Sequence, residues 1–271
     1  MNAPEILPLV DIQSQTDTRN LPIQAVGIKE VRYPVRLRAG QGPQARTVET
    51  AARWTMSVGL AATVKGTHMS RFIELLEAPR EALDLDGFAR MTAEMLQRLE
   101  AHSGRIEMHF PYFLRKAAPV SGVESLLDID ATWRCHIPAI GARPELSMRL
   151  TVAATSLCPC SKEISAYGAH NQRSHITLDV ALREALSIEA LARIAEDSAS
   201  CAVYGLLKRV DEKHVTERAY DNPKFVEDLV RDVALALSAE PRVRAYQVEV
   251  ENFESIHNHS AFATIGGSRD D

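Results

Sequence analysis

The sequence predicts an α+β protein made of a duplicated unit, each copy an antiparallel four-stranded sheet with helices on one face. Three observations predict it. Stretches in which apolar residues fall two apart mark half-buried strands, and stretches in which they fall three and four apart mark helices. The order strand pair, helical layer, strand pair occurs before the Gly141-Ala142-Arg143-Pro144 break and again after it. The chain accordingly divides into an arm over 1–22, a first unit over 23–141 and a second over 142–271.

The arm mixes Pro, Gln, Asp, Thr and Asn without periodicity, as expected of a segment that is mobile or pinned onto a neighbour. From Ala25, Val26, Ile28, Val31, Tyr33, Val35 and Leu37 alternate for the most part with Lys, Glu and Arg, predicting a strand. Gly40-Gln41-Gly42-Pro43 predicts a turn, and 46–62 the second strand of a long hairpin, with Val48, Trp54, Met56 and Val58 on one face. Lys65, His68, Ser70 and Arg71 follow as a cluster of donors, suited equally to an anion and to plain solvent. Residues 86–102 predict an amphipathic helix through Phe88, Met91, Met95, Leu96 and Leu99, with Gly104 at its C-cap. Strands over 105–116 and 124–137, joined by a turn at Pro119-Val120-Ser121-Gly122, complete the first unit.

In the second unit, strands over 145–156 and 174–182 flank a polar stretch in place of a short turn. Ser187 opens a helical region in which Ile188, Leu191 and Ile194 are continued by Ala199, Val203, Leu206 and Leu207. Asp221-Asn222-Pro223 predicts a further helix start, with Asn222 as cap, Pro223 in the first position, and Phe225, Leu229, Val233 and Leu237 along the apolar stripe. Strands over 246–252 and 261–265 close the chain. The free face of each sheet would line a barrel or tunnel if several sheets joined edge to edge, which would also hide their edges.

The net charge of −5, from 31 basic and 36 acidic residues spread along the chain, gives no basic field of the kind that nucleic-acid binders carry. Four cysteines, Cys135, Cys158, Cys160 and Cys201, are too few for a disulfide framework in 271 residues and fit a reducing compartment. No secretory signal opens the sequence and no apolar run reaches the ~20 residues of a membrane span. The expectation is a cytoplasmic protein with neither nucleic acid nor membrane as partner.

The chemistry concentrates in 156–175, which carries Cys158, Cys160, Lys162, Glu163, Tyr167, His170, Arg173 and His175. Taken singly, each is more often a packing or solvated residue than a ligand. Together they offer little apolar surface to bury. A thiolate and an imidazole at the two ends of one loop can reach a single borderline metal such as zinc, iron or manganese, and they leave positions open for water or substrate. Glu212, Glu227 and the 251–259 segment, with Glu254, His257 and His259, supply further carboxylates and imidazoles. Glu212 is expected at a helix end, Glu227 on a helix beside Asp228, and Glu254 and the histidines between two strands. Spacing alone points to a metal-assisted hydrolase.

Five segments carry a resemblance: Ser156-Leu-Cys-Pro-Cys-Ser-Lys-Glu-Ile-Ser165, Gly168-Ala-His-Asn-Gln-Arg-Ser-His175, Gly66-Thr-His-Met-Ser-Arg-Phe72, Asp221-Asn-Pro-Lys-Phe-Val-Glu-Asp228 and Asn252-Phe-Glu-Ser-Ile-His-Asn-His259. Together they resemble the bacterial GTP cyclohydrolases of type IB. The resemblance implies a tunnelling fold with two units per chain, a homotetramer with active sites at subunit interfaces, and conversion of GTP and water to 7,8-dihydroneopterin triphosphate and formate. By motif position it implies that Cys158, His170 and Glu212 hold a divalent metal, manganese or zinc with iron as a further option, with His257 nearby. It implies that Glu254 accepts hydrogen bonds from the guanine edge and that Glu227 carries a proton, aided by His257 or His259. Lys65, His68, Arg71, Lys162, Arg173 and His175 are the cations available to the triphosphate. Two alternatives stand beside it: another pterin or deazapurine enzyme of the same fold, with Cys160 as nucleophile, and a non-catalytic metal-binding module.

Overall fold

The computed structural model describes residue 13, residues 15–40 and residues 45–269. The expected turn over 40–43 therefore lies outside the described residues beyond Gly40, as does most of the 1–22 arm. The described part of that arm is pinned: Thr16 bridges Val64, and the N–H of Lys65 donates to the Gln15 carbonyl at 3.2 Å.

Strands Ile23–Ala39 (β1) and Arg46–Leu60 (β2) form the first hairpin, helices Ser70–Glu77 (α1) and Leu85–Leu99 (α2) follow, and Gly104–Ala117 (β3) with Glu124–Ile137 (β4) form the second hairpin. The order then recurs. Glu145–Leu157 (β5) leads through the short helix Pro159–Ile164 (α3) to Asn171–Leu182 (β6); Ile188–Ser198 (α4), the two-residue strand Cys201–Ala202 (β7), Arg209–Asp221 (α5) and Val226–Ala239 (α6) form the helical layer; Val243–Phe253 (β8) and Ala261–Ser268 (β9) close. Each half contributes four long antiparallel strands. The halves join edge to edge through β4 and β5, giving one sheet in the order β1-β2-β3-β4-β5-β6-β8-β9, with β7 attached to β5.

Side-chain alternation decides which face is covered. Along β3, Ile106, Met108, Phe110 and Tyr112 are buried beneath the helices, whereas Arg105, Glu107 and His109 point to the opposite face. Under α2 the rings of Trp54, Phe88, Trp133 and Phe110 follow one another at 6.4, 5.9 and 5.5 Å between centroids. Under α4 and α6, Leu150, Val152, Leu178, Leu191, Leu229 and Val233 are fully enclosed. Each large apolar side chain so buried stabilises the fold by about 1.5–3 kcal/mol before entropy is counted. The uncovered face is polar, and on it Arg134 of β4 bonds Glu107 of β3 at 3.0 Å and Asp179 of β6 at 2.9 Å, tying the two halves together.

Several boundaries differ from the sequence expectation. Helix α2 ends at Leu99 with Glu100 in the left-handed conformation (φ 54°), so Gly104 is not its cap. Gly104 instead opens β3 where a Cβ would meet the Ser57 carbonyl oxygen at 2.9 Å and the ends of Leu96 and Met95. Helix α4 stops at Ser198, because Cys201 and Ala202 leave it to pair with β5; Val203, Leu206 and Leu207 lie in the following loop. Asn222 is the C-cap of α5, its amide donating to the Ala199 and Ser200 carbonyls. Helix α6 begins later, at Val226, with Asp228 accepting the Phe225 N–H. Glu212 does not close a helix: it lies in the first turn of α5.

Candidate functional site

The stretch that replaces a turn between β5 and β6 folds back on itself. Pro159 suits the first position of α3, and Cys158 is the N-cap, its Sγ accepting the Ser161 N–H at 3.4 Å. After α3, Gly168 (φ 111°) takes a backbone turn that other residues resist, and His170 returns to the start of β6. The Cys158 N–H donates to the His170 carbonyl at 3.1 Å, and the Ser161 hydroxyl bonds the Cys158 carbonyl and the His170 N–H. Thiol and imidazole thus leave from adjacent backbone.

The imidazole is oriented by groups that sequence spacing did not single out. Nδ1 of His170 lies 3.1 Å from Oε1 of Gln172 and 3.3 Å from Oγ of Ser255. Ser255 follows Glu254, so this contact ties the loop after β8 to His170. Beneath the loop, on the core side, Ser156, Ser174 and Asn252 are buried and linked in series: Ser156 to Ser174 at 2.7 Å, and the Ser174 hydroxyl donating to the Asn252 side-chain amide oxygen Oδ1 at 2.6 Å. Three strand ends, those of β5, β6 and β8, are thereby held in register next to Cys158, His170 and Glu254.

The other expected residues distribute as follows. Glu254 is half-buried just past β8, and His257 and His259 stack in an exposed loop with centroids 5.2 Å apart. Glu227 is exposed in the first turn of α6, whose approach is fixed by the Lys224 N–H donating to the Leu157 carbonyl at 3.0 Å. Lys162 donates to the Tyr220 carbonyl at 2.6 Å and lies over the Tyr220 ring, linking α3 to α5. His175 meets Phe253 edge-on at 4.8 Å, and Arg173 pairs across from Phe253 on the uncovered face. Glu212 points its carboxylate at Arg209, 2.9 Å away. One turn on, Thr216 shares a cleft with Gln172, Arg173, Phe253 and Ser255. Among the described residues no three His, Cys, Asp or Glu side chains are grouped to hold a metal.

Lys65, His68 and Arg71 stand apart. They follow the end of β2 that is level with Gly104, Ile137, Glu145 and Leu182, whereas Cys158 and His170 lie at the other end of the sheet. The strands separate the two groups by roughly 40 Å, at about 3.3 Å per residue. Arg71 is partly engaged there, donating to the Arg98 carbonyl at 2.7 Å, and Lys65 donates to Gln15 at 2.9 Å.

As to metal fit, the donor chemistry of the Cys158 and His170 pair is suitable: Nδ1 faces Gln172 Oε1, an arrangement in which Nε2 would present its lone pair. The family model described as type I GTP cyclohydrolase FolE2 matches residues 9–263. The chain belongs to the GTP cyclohydrolase FolE2 family. Among FolE2 relatives, GTP cyclohydrolase FolE2 1 of Dechloromonas aromatica is 62% identical over 98% of this chain and 99% of its own. FolE2 of Burkholderia ambifaria is 57% identical over 98% and 96%, and that of Azoarcus sp. 54% over 98% and 97%. Among solved structures, urate oxidase from Bacillus sp. TB-90 aligns with this FolE2-family chain at a TM-score of 0.53 and 11% identity, covering 91% of this chain and 100% of that one. A highly active mutant of the same urate oxidase aligns at 0.54 and 10%, with the same coverage. At such identity the likeness concerns the fold alone, and the fold is the tunnelling fold.

Proposed function

We propose that this chain opens the imidazole ring of GTP hydrolytically, giving 7,8-dihydroneopterin triphosphate and formate for pterin and folate synthesis in the cytoplasm. Membership of the FolE2 family across residues 9–263 carries the reading. Cys158 and His170 would hold the metal, manganese or zinc with iron as a further option, and Glu212 would complete the set by turning its carboxylate away from Arg209. When bound, such an ion supplies a Lewis acid and an acidified water.

Ring opening needs water at C8, a proton for the departing ring nitrogen, and an anchor for the pyrimidine edge. Glu254 supplies the anchor, since a carboxylate matches two adjacent N–H donors. Glu227 supplies the proton, with His257 and His259 within the loop that Ser255 ties to His170. Lys162, Arg173 and His175 meet the triphosphate from the same end of the sheet. Lys65, His68 and Arg71 would serve a site of another copy, in a homotetramer with active sites at its interfaces.

The test is incubation of the purified protein with GTP and manganese, then oxidation and fluorescence detection of neopterin. Formation of neopterin proportional to enzyme is expected; its absence with every divalent metal tried ends the reading.

A further inference from the structure

We propose that Gln172 is a positioning residue for His170, its carboxamide oxygen accepting the Nδ1–H so that the Nε2 lone pair is presented for coordination. The inference rests on the metal reading of Cys158 and His170.

Gln172 occupies a core-facing position of β6, in line with Ser174, Ile176, Leu178 and Val180, and is 7% exposed. An amide there costs stability unless it is hydrogen-bonded. Its carboxamide oxygen meets His170 Nδ1 at 3.1 Å. The position is also tied to the thiol: Gln172 pairs across from Ser156, two residues before Cys158, and Asn171 pairs with Leu157. The register that seats the amide therefore seats both candidate ligands. The buried series Ser156, Ser174 and Asn252 guards that register from below, where one residue of slip would turn every side chain to the wrong face. Ser255, at 3.3 Å, approaches the same Nδ1 from the loop after β8, so the imidazole is held both from β6 and from that loop.

The orientation has a chemical consequence. An imidazole whose Nδ1–H is engaged by an oxygen acceptor is fixed in one tautomer and one ring rotamer, and loss of such an acceptor typically weakens metal binding by about 10–100-fold. Gln172→Met keeps length and flexibility but deletes the acceptor; Gln172→Glu keeps an oxygen at the same reach.

The experiment uses the full chain reconstituted with cobalt(II), reading affinity by chelator competition and coordination by the visible thiolate-to-cobalt spectrum, with Cys158→Ala as control. The expected result is that Cys158→Ala loses the thiolate band, Gln172→Met binds about 10–100-fold more weakly with an altered spectrum, and Gln172→Glu recovers wild-type affinity. If Cys158→Ala retains the wild-type spectrum, the underlying metal reading fails. If Cys158→Ala loses it while Gln172→Met matches wild type, or if Glu fails to rescue, the positioning role is overturned. Should Gln172→Met melt early, NMR of isotope-labelled histidine in the wild-type apoprotein, read on the neutral ring, decides: the Nδ1–H tautomer of His170 supports the role and the Nε2–H tautomer overturns it.

Discussion

Cys158 and His170 were legible as a pair because a loop dense in Cys, Lys, Glu, His and Arg has no packing explanation, and the structure seats them side by side. Gln172 and Ser255 were not legible, because nothing in a linear spacing marks an amide on a strand and a hydroxyl about 80 residues on as partners of one imidazole; that needs the pairing of β6 with β8. The remaining thiols show the contrast: burial pushes those of Cys135 and Cys201 up, as suits inert core residues. Glu227 is exposed and at a helix start, where a Gln is readily accommodated. Glu227→Gln is therefore expected to leave melting temperature and metal content unchanged while turnover of GTP falls by about a hundredfold or more, as for loss of a general acid. Metal analysis and the neopterin assay on one preparation check this; full turnover would remove Glu227 from the mechanism.

At the scale of elements, the long strands and α2 followed from periodicity, whereas the region between α4 and α6 did not. There the apolar pattern of Ala199, Val203 and Leu207 reads as helix, but tertiary demands override it: Cys201 pairs with β5, and Asn222 spends its amide on the Ala199 and Ser200 carbonyls. Helix α5 has a weak apolar face and is held mainly by Asp211. This buried carboxylate accepts the N–H groups of Val120 and Ser121 at 2.9 and 2.8 Å, the Ser121 hydroxyl at 2.6 Å and the Lys208 N–H at 2.8 Å. Burial by itself would raise its pKa, but the bonds from Ser121, Lys208 and Val120 outweigh it and hold the carboxyl well below the usual range. A carboxyl depressed in the folded state contributes stability that is present above the unfolded pKa of about 4 and is lost as pH falls through the folded value. Asp211→Asn, which turns an N–H toward the Lys208 donor, is expected to lower stability in urea melts at pH 6, with its deficit against wild type shrinking by pH 3. A deficit independent of pH would show that Asp211 does not hold α5 as a charged acceptor. Because Glu212 is the next residue, the first half's β3–β4 turn sets where a candidate ligand of the second half can lie.

On the scale of the whole molecule, the recurring element order was legible from periodicity, but the fusion of both sheets through β4 and β5 was not, since register between strands of different halves leaves no periodic signature. That fusion has a functional consequence. It puts Lys65, His68 and Arg71 beyond one end of the sheet and Cys158, His170 and Glu254 beyond the other, a separation no side chain spans. One chain therefore cannot bring both groups to one triphosphate, while among the described residues β1 and β9 are the edges through which copies can join. If both groups serve GTP, each site draws on two copies. His68→Ala and Cys158→Ala chains should each be nearly inactive alone. Unfolded together at equal amounts and refolded, they should regain activity, because some interfaces pair an intact Cys158 end with an intact His68 end. For a site shared by two copies, random mixing predicts up to about a quarter of wild-type turnover, the probability that both contributors are intact. Measuring neopterin formation against the mixing ratio checks this: recovery that peaks at equal amounts supports the shared site, and its absence in a hybrid shown to have assembled would confine the site to the Cys158 end of a single chain.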